Sequence, residues 1–146
     1  MTLLEKAIIL STKAHAGQKD KSGEAYILHP LFVMSKMKND MGRIVALLHD
    51  VIEDTEITED DLRKEGFPSE VIDTVKILTR SKNEDYIEDY IQRILTNSLA
   101  IEVKLGDLSH NMDLNRMPNP SEHDFQRLEK YKKAEIMLKN GICKGM

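Results

Sequence analysis

The stretch MGRIVALLHDVIE, residues 41–53, decides the fold class. Ile44, Val45, Ala46, Leu47, Leu48, Val51 and Ile52 leave it apolar on almost every side. That is the pattern of a helix buried all round. Helical periodicity extends from it in both directions. Upstream, Leu3, Leu4, Ala7, Ile8, Leu10 and Ala14 form the stripe of a first helix over 2–16, stopped by Gly17. Residues 18–28 read as a polar loop around Ser22-Gly23, and 22–28 is the one stretch suited to a short strand. His29-Pro30 opens a second helix, because proline suits a first turn, and this helix is expected to end near Asn39-Asp40.

Downstream, Thr58 with Asp61 three residues on resembles a capping box, and Gly66 stops that helix. Pro68 starts another, through about Thr79, and 84–96 and 98–115 follow as two more. The stripe of the latter is Ile101, Leu105, Leu108 and Met112. Ser121 and Asp124 open a last helix, expected to run to Asn140 and stop at Gly141. The expectation is an all-α, compact single-domain bundle of seven to eight helices over residues 1–146.

Composition narrows the function. A length of 146 residues suits one domain. Lys plus Arg number 21 against 25 Asp plus Glu, a net charge of −4, which argues against a nucleic-acid binder. The basic group Arg127, Lys130, Lys132 and Lys133 has acidic neighbours and reads as a solvated face. No apolar run approaches the roughly 18 residues of a membrane span. The opening MTLLEKAIIL is broken by Glu5 and Lys6, unlike a signal peptide. The single cysteine, Cys143, excludes an internal disulfide and a Cys-rich zinc site. The cytoplasm is the simplest location.

Several polar residues stand where the pattern wants apolar ones. His49-Asp50 and Glu53-Asp54 sit in the helix that should be buried. His49 and Glu53 share one face and Asp50 and Asp54 another. Buried carboxylates are costly unless paired or bound to a metal, and acidic residues at a helix C-terminus oppose its dipole. Lys104, Asp107 and Asn111 fall on one face of 98–115, which alone reads as an ordinary wet face. His29, alone, reads as a junction cap, and His15 as a packed histidine. His110 and His123 carry no comparable signal. Together, His29, His49, Asp50 and Asp107 can supply a mixed nitrogen and oxygen shell. Such a shell suits manganese, iron or zinc better than calcium or magnesium.

HAGQKDKSGEAYILHP at 15–30, ALLHDVIEDT at 46–55 and VKLGDLSHNMDL at 103–114 resemble the HD phosphohydrolases. Among these the chain looks like the hydrolase domain of the RelA/SpoT proteins and their small single-domain relatives, over about residues 1–140. The resemblance implies an HD-type bundle with His29, His49, Asp50 and Asp107 as ligands of one divalent metal. The metal implied is Mn2+, with Fe2+ and Zn2+ as alternatives. Glu53 and Asp54 match the acidic pair that positions or deprotonates the attacking water, and Lys21, Ser22 and Asn111 match nucleotide contacts. Lys104 is, with Lys21, the nearest cation to offset phosphate charge. The implied reaction removes the 3′ diphosphate of guanosine tetra- or pentaphosphate, (p)ppGpp, releasing pyrophosphate.

The sequence departs from that pattern at three positions where arginine is usual. They carry Asp20, Leu108 and Asp113. A highly phosphorylated substrate favours arginine, which grips phosphate bidentately. Two other readings therefore stand beside the first: an HD hydrolase of another nucleotide or small phosphate ester, and a non-catalytic nucleotide-binding module.

Overall fold

The computed structural model describes residues 1–144, so the last two residues of the expected 1–146 domain lie outside the described residues. In chain order the helices are α1 (Leu3–Ala14), α2 (Leu28–Ser35), α3 (Asp40–Leu48), α4 (Val51–Asp54), α5 (Glu59–Lys64) and α6 (Ser69–Leu78). A π-helical segment (Tyr86–Ile91) runs into α7 (Gln92–Ile94), followed by α8 (Ser98–Asn111), a 3-10 turn (Leu114–Arg116) and α9 (Glu122–Lys144). The all-α expectation holds: no strand occurs among the described residues. The stretch expected to be extended makes only an isolated antiparallel bridge between Lys19 and Ala25. The chain turns there instead, because the Asp20 carboxylate accepts the amides of Ser22 (2.9 Å) and Glu24 (3.0 Å).

Helix α3 is the centre of the core, with Ile44, Val45, Ala46, Leu47 and Leu48 all buried. It packs against α1, α2, α6 and α8. Helix α2 lies against both α3 and α8. Gly106 eases its approach to α8, since an added Cβ would lie 3.2 Å from Val33 Cγ1 and 3.3 Å from Met37 Cε. The missing side chain leaves room for Val33 and Met37 next to Asp107.

Caps explain most boundaries. Thr58 and Asp61 form a reciprocal capping box, as expected. Ser121 and Asp124 bond each other's side chains and amides in the same way. Asn39 caps α3 through the amide of Gly42 (3.0 Å), so the second helix ends at Ser35, short of Asn39.

Three expectations need correction. The 41–53 helix is broken: α3 stops at Leu48, and Asp50 (φ −107°, ψ −3°) turns the chain before α4 restarts. Segment 84–96 is π-helical in its first half, where the Asp85 carboxylate accepts the amides of Ile87 (3.0 Å) and Glu88 (2.7 Å). Helix α9 does not stop at Gly141 but passes through it. A Cβ there would fall 2.5 Å from Leu95 Cδ2, so the glycine permits close packing rather than termination.

Arg93 ties this second half together. Its guanidinium pairs with both oxygens of Glu84 (2.5 and 2.8 Å) and donates to the carbonyls of Ile77 (3.3 Å) and Thr79 (3.1 Å) at the end of α6. The Arg93 fork holds the Glu84 carboxyl down from its ordinary 4.5 to about 2. Glu84→Gln is expected to lower stability at pH 7 by about 1 kcal/mol, a figure discounted for the solvent around Arg93. Because the folded-state value is depressed, the contribution is complete above the ordinary 4.5 and is lost as pH falls toward about 2. Urea unfolding of both proteins at pH 7 and pH 3 checks this: the gap must shrink at pH 3.

Candidate metal centre and adjoining cleft

The first turn of α2, the break between α3 and α4, and the last turn of α8 meet at one point. They bring together His29, His49, Asp50 and Asp107, each offering one ligand atom, all within 4.8 Å of one another. His29 Nε2 lies 2.7 Å from Asp107 Oδ1 and 3.8 Å from Asp50 Oδ2. His49 Nε2 lies 3.1 Å from Asp50 Oδ2 and 3.4 Å from Asp107 Oδ1. Donors bound at about 2.0–2.2 Å to one small cation stand roughly 3–4 Å apart; the 3.1, 3.4 and 3.8 Å separations lie in that range, and the 2.7 Å pair is closer. The break in the helix matters here, since adjacent residues of an unbroken helix point to different faces.

Neighbouring groups aim each of these side chains. The Nδ1–H of His49 donates to the Ala46 carbonyl (2.5 Å), leaving Nε2 to face the cluster. Tyr26 donates its hydroxyl to Asp50 Oδ2 (2.5 Å) and, more weakly, to Asp54 Oδ2 (3.5 Å). Asp107 accepts from Lys104 (2.8 Å) on one oxygen and from Asn111 (3.2 Å) on the other. Burial works to raise the Asp107 carboxyl, but Lys104, His29 and His49 hold it well below the usual range. Asp50 is likewise raised by burial and then drawn down to about 2, chiefly by His49.

Lys104, expected as a substrate contact, is placed otherwise. It is buried, with its ammonium on Asp107 and over the rings of Tyr90 (5.0 Å) and Tyr86 (5.6 Å). Its place is behind Asp107, not in front of it. His110, which carried no signal in the sequence, touches the cluster directly. Its Nδ1 lies 2.7 Å from His29 Nδ1, and its ring is stacked between those of His29 and Phe32. Burial, then Arg116 and His29, pull its pKa down to about 4, so it is a neutral acceptor at pH 7. With His29 Nε2 turned to the cluster, His29 Nδ1–H donates and His110 accepts. A weak signal existed, since His110 follows Asp107 by one helical step of three.

Glu53 and Asp54 stand on α4, one turn past Asp50 and open to solvent. Glu53 Oε1 accepts the amide of Arg80 (2.7 Å). Although both residues are exposed overall, partial desolvation of their carboxyl groups, with Asp50 nearby, pushes both above their ordinary values.

Beside the cluster lies a cleft of about 310 Å³ that shares His29 and Tyr26 with it. Lys21, Ser22 and Asn111 line it, together with Lys19, Arg116 and Arg127. Lys21 reaches Asp124 at 3.4 Å, and the Ser22 hydroxyl donates to the Arg116 carbonyl. The three departures take different places. Asp20 pairs with Arg116 (3.1 Å), Asp113 bonds the Asn115 amide (2.9 Å), and Leu108 is wholly buried in the core.

A histidine–aspartate doublet meeting a distant histidine and a distant aspartate in a helical bundle is the arrangement that the resemblance to HD-type domains implies. The chain is similar to one segment of the RelA/SpoT-type proteins. It is 39% identical over 129 residues to a GTP pyrophosphokinase of Myxococcus xanthus, covering 77% of this chain and 17% of that one. It is 39% identical over 117 residues to the guanosine-3′,5′-bis(diphosphate) 3′-pyrophosphohydrolase of Haemophilus influenzae, covering 71% and 17%. It is 37% identical over 123 residues to the bifunctional (p)ppGpp synthase/hydrolase SpoT of Escherichia coli K12, covering 75% and 17%. The chain therefore spans about a sixth of the length of these curated relatives. A solved structure of a metazoan ortholog of SpoT that hydrolyses ppGpp shares the fold. Its TM-score is 0.75 at 21% identity, over 94% of this chain and 85% of that one. No family model matches the chain.

His110→Phe keeps the ring stack and removes the acceptor for His29. Metal affinity is expected to fall about 10- to 100-fold, while the metal-free protein melts as the wild type does. Competition with a fluorescent chelator measures this, and unchanged affinity would show that His29 is held without His110.

Proposed function

We propose that this protein is a divalent-metal-dependent phosphohydrolase that removes the 3′ diphosphate of guanosine tetra- or pentaphosphate. The observation that carries the reading is the convergence of His29, His49, Asp50 and Asp107 beside a cleft that His29 shares and that lysines and arginines line. The named activity of the homologous proteins supports it. In this reading His29, His49, Asp50 and Asp107 hold one divalent ion, manganese first, with iron or zinc as alternatives. When bound, such an ion acidifies a coordinated water and polarises a phosphoryl oxygen.

The chain's own residues supply the rest. Glu53 and Asp54 take the proton of the attacking water, and their raised pKa values make each a stronger base than an ordinary surface carboxylate. Water adds to the phosphorus on the 3′-oxygen, the bond to that oxygen breaks, the freed 3′-oxygen takes up a proton from solvent, and the products are GDP or GTP and pyrophosphate. Tyr26 and Lys104 keep Asp50 and Asp107 aimed, through hydroxyl and ammonium donors. Lys21, Ser22 and Asn111 face the nucleotide from two sides of the cleft. The reading takes residues 1–146 as one catalytic domain, working in the cytoplasm on a small nucleotide rather than on nucleic acid or membrane.

A second substrate reading has its own support. Asp20, Asp113 and Asp124 line the cleft among the cations and lower its net positive charge, which favours a less heavily phosphorylated nucleotide.

The test is turnover of guanosine tetraphosphate by the manganese-loaded protein, beside a nucleotide panel and an Asp50→Ala control. Release of GDP and pyrophosphate by the wild type alone is expected. Turnover confined to another nucleotide would replace the first substrate reading by the second. Glu53→Gln is expected to lower kcat about 100-fold or more while metal content by elemental analysis stays the same. Equal loss of metal would make Glu53 a ligand instead.

A further inference from the structure

The cations of the cleft are not equivalent. Lys21 is 60% exposed and meets only Asp124 at 3.4 Å. Lys19 is exposed as well. Arg127 pairs with Asp124 one turn away on its own helix (2.5 Å). Arg116 is held from two directions. Its Nη1 donates to the His110 carbonyl (2.8 Å), and its Nη2 donates to Asp20 Oδ2 (3.1 Å), 96 residues away in sequence. The other oxygen of Asp20 accepts the amides of Ser22 and Glu24, and the Ser22 hydroxyl returns to the Arg116 carbonyl. One carboxylate thus fixes the 20–24 turn and the guanidinium together, and Asp20, Ser22 and Arg116 all line the cleft.

A guanidinium has five N–H donors. The two bonds above leave donors free, and the side chain keeps 24% of its surface open. Arginine held in this way presents its fork with little rotamer freedom left to lose.

Building on the proposed function, we infer that Arg116 is the residue that reads a second phosphoryl group of the substrate, and that Asp20 is the positioning residue that aims it. In the proposed substrate one phosphoryl group reacts at the His29–His49–Asp50–Asp107 cluster and the other is held on Arg116 in the adjoining cleft. Asp20 is then not a lost cation but the support of one that comes from the other side of the cleft.

Asp20→Asn and Arg116→Gln test this, singly and together, in the manganese-loaded protein. Asparagine keeps an oxygen for the two loop amides and loses the charge facing Arg116. Two readouts are needed: binding of GDP and of guanosine by calorimetry, and KM and kcat for guanosine tetraphosphate. Arg116→Gln is expected to weaken GDP about 10-fold or more and leave guanosine unchanged, raising KM with kcat nearly constant. Asp20→Asn is expected to weaken GDP by a smaller factor, and to add nothing once Arg116 is gone. Arg116→Lys, which keeps charge without the fork, should fall between the wild type and the glutamine variant. Tighter GDP binding in Asp20→Asn would overturn the inference, because Asp20 would then mask Arg116 rather than aim it. Wild-type GDP affinity in Arg116→Gln, equal loss of guanosine, or no GDP binding by the wild type would overturn it too. A wild type that binds GDP through Arg116 but leaves the tetraphosphate intact would remove the proposed reaction and leave this assignment standing.

Discussion

Everything in this molecule is arranged around a carboxylate in the core. Asp107 is 4% exposed, on a helix whose other buried residues are mostly apolar. Left alone, a charge there would cost several kcal/mol. It persists because four groups from three segments donate to or face its two oxygens: His29, His49, Lys104 and Asn111. Each donor imposes a condition on the fold. His29 requires α2 to lie close against α8, which Gly106 allows. His49 requires the central helix to end where it does. Lys104 requires two tyrosine faces to shelter its ammonium, and the π-helical segment supplies both Tyr86 and Tyr90.

Much of this was legible from residues alone, for identifiable reasons. Burial all round 41–53 is a property of composition along one segment, and capping boxes are local, so the helix order, most helix starts and the core follow from short windows. His49 and Asp50 stood out because they interrupt an apolar segment, whereas His29 and Asp107 read as ordinary when taken alone and joined them only in combination and through the resemblance to known motifs. Where reading failed, the deciding contact was distant. The break after Leu48 has no glycine or proline to announce it. Gly141 looks like a stop signal until Leu95 is seen against it.

The same distinction separates the site residues. Periodicity puts Lys104 on the face of Asp107, but it does not say whether the ammonium runs toward the cleft or behind the carboxylate. His110 belongs to a stack of three rings drawn from two helices, which no single segment encodes. Asp20 read as a missing arginine, because its partner Arg116 lies at the far end of the chain. The four cluster residues are named from sequence; of the groups that hold them, Lys104 and Asn111 are named there in another role and His110 in none.

Lys104 has a further effect that no direct contact conveys. The buried Lys104 ammonium sits on Asp107, Asp50 takes its donor from Tyr26, and both histidines present a ring nitrogen to the centre. The protein thus contributes a single net negative charge where two carboxylates stand. In the proposed reaction a divalent cation seated there would keep part of its charge, with Glu53 and Asp54 one turn away to face it. Lys104 would thereby set, from behind, how much charge the centre can offer at its front.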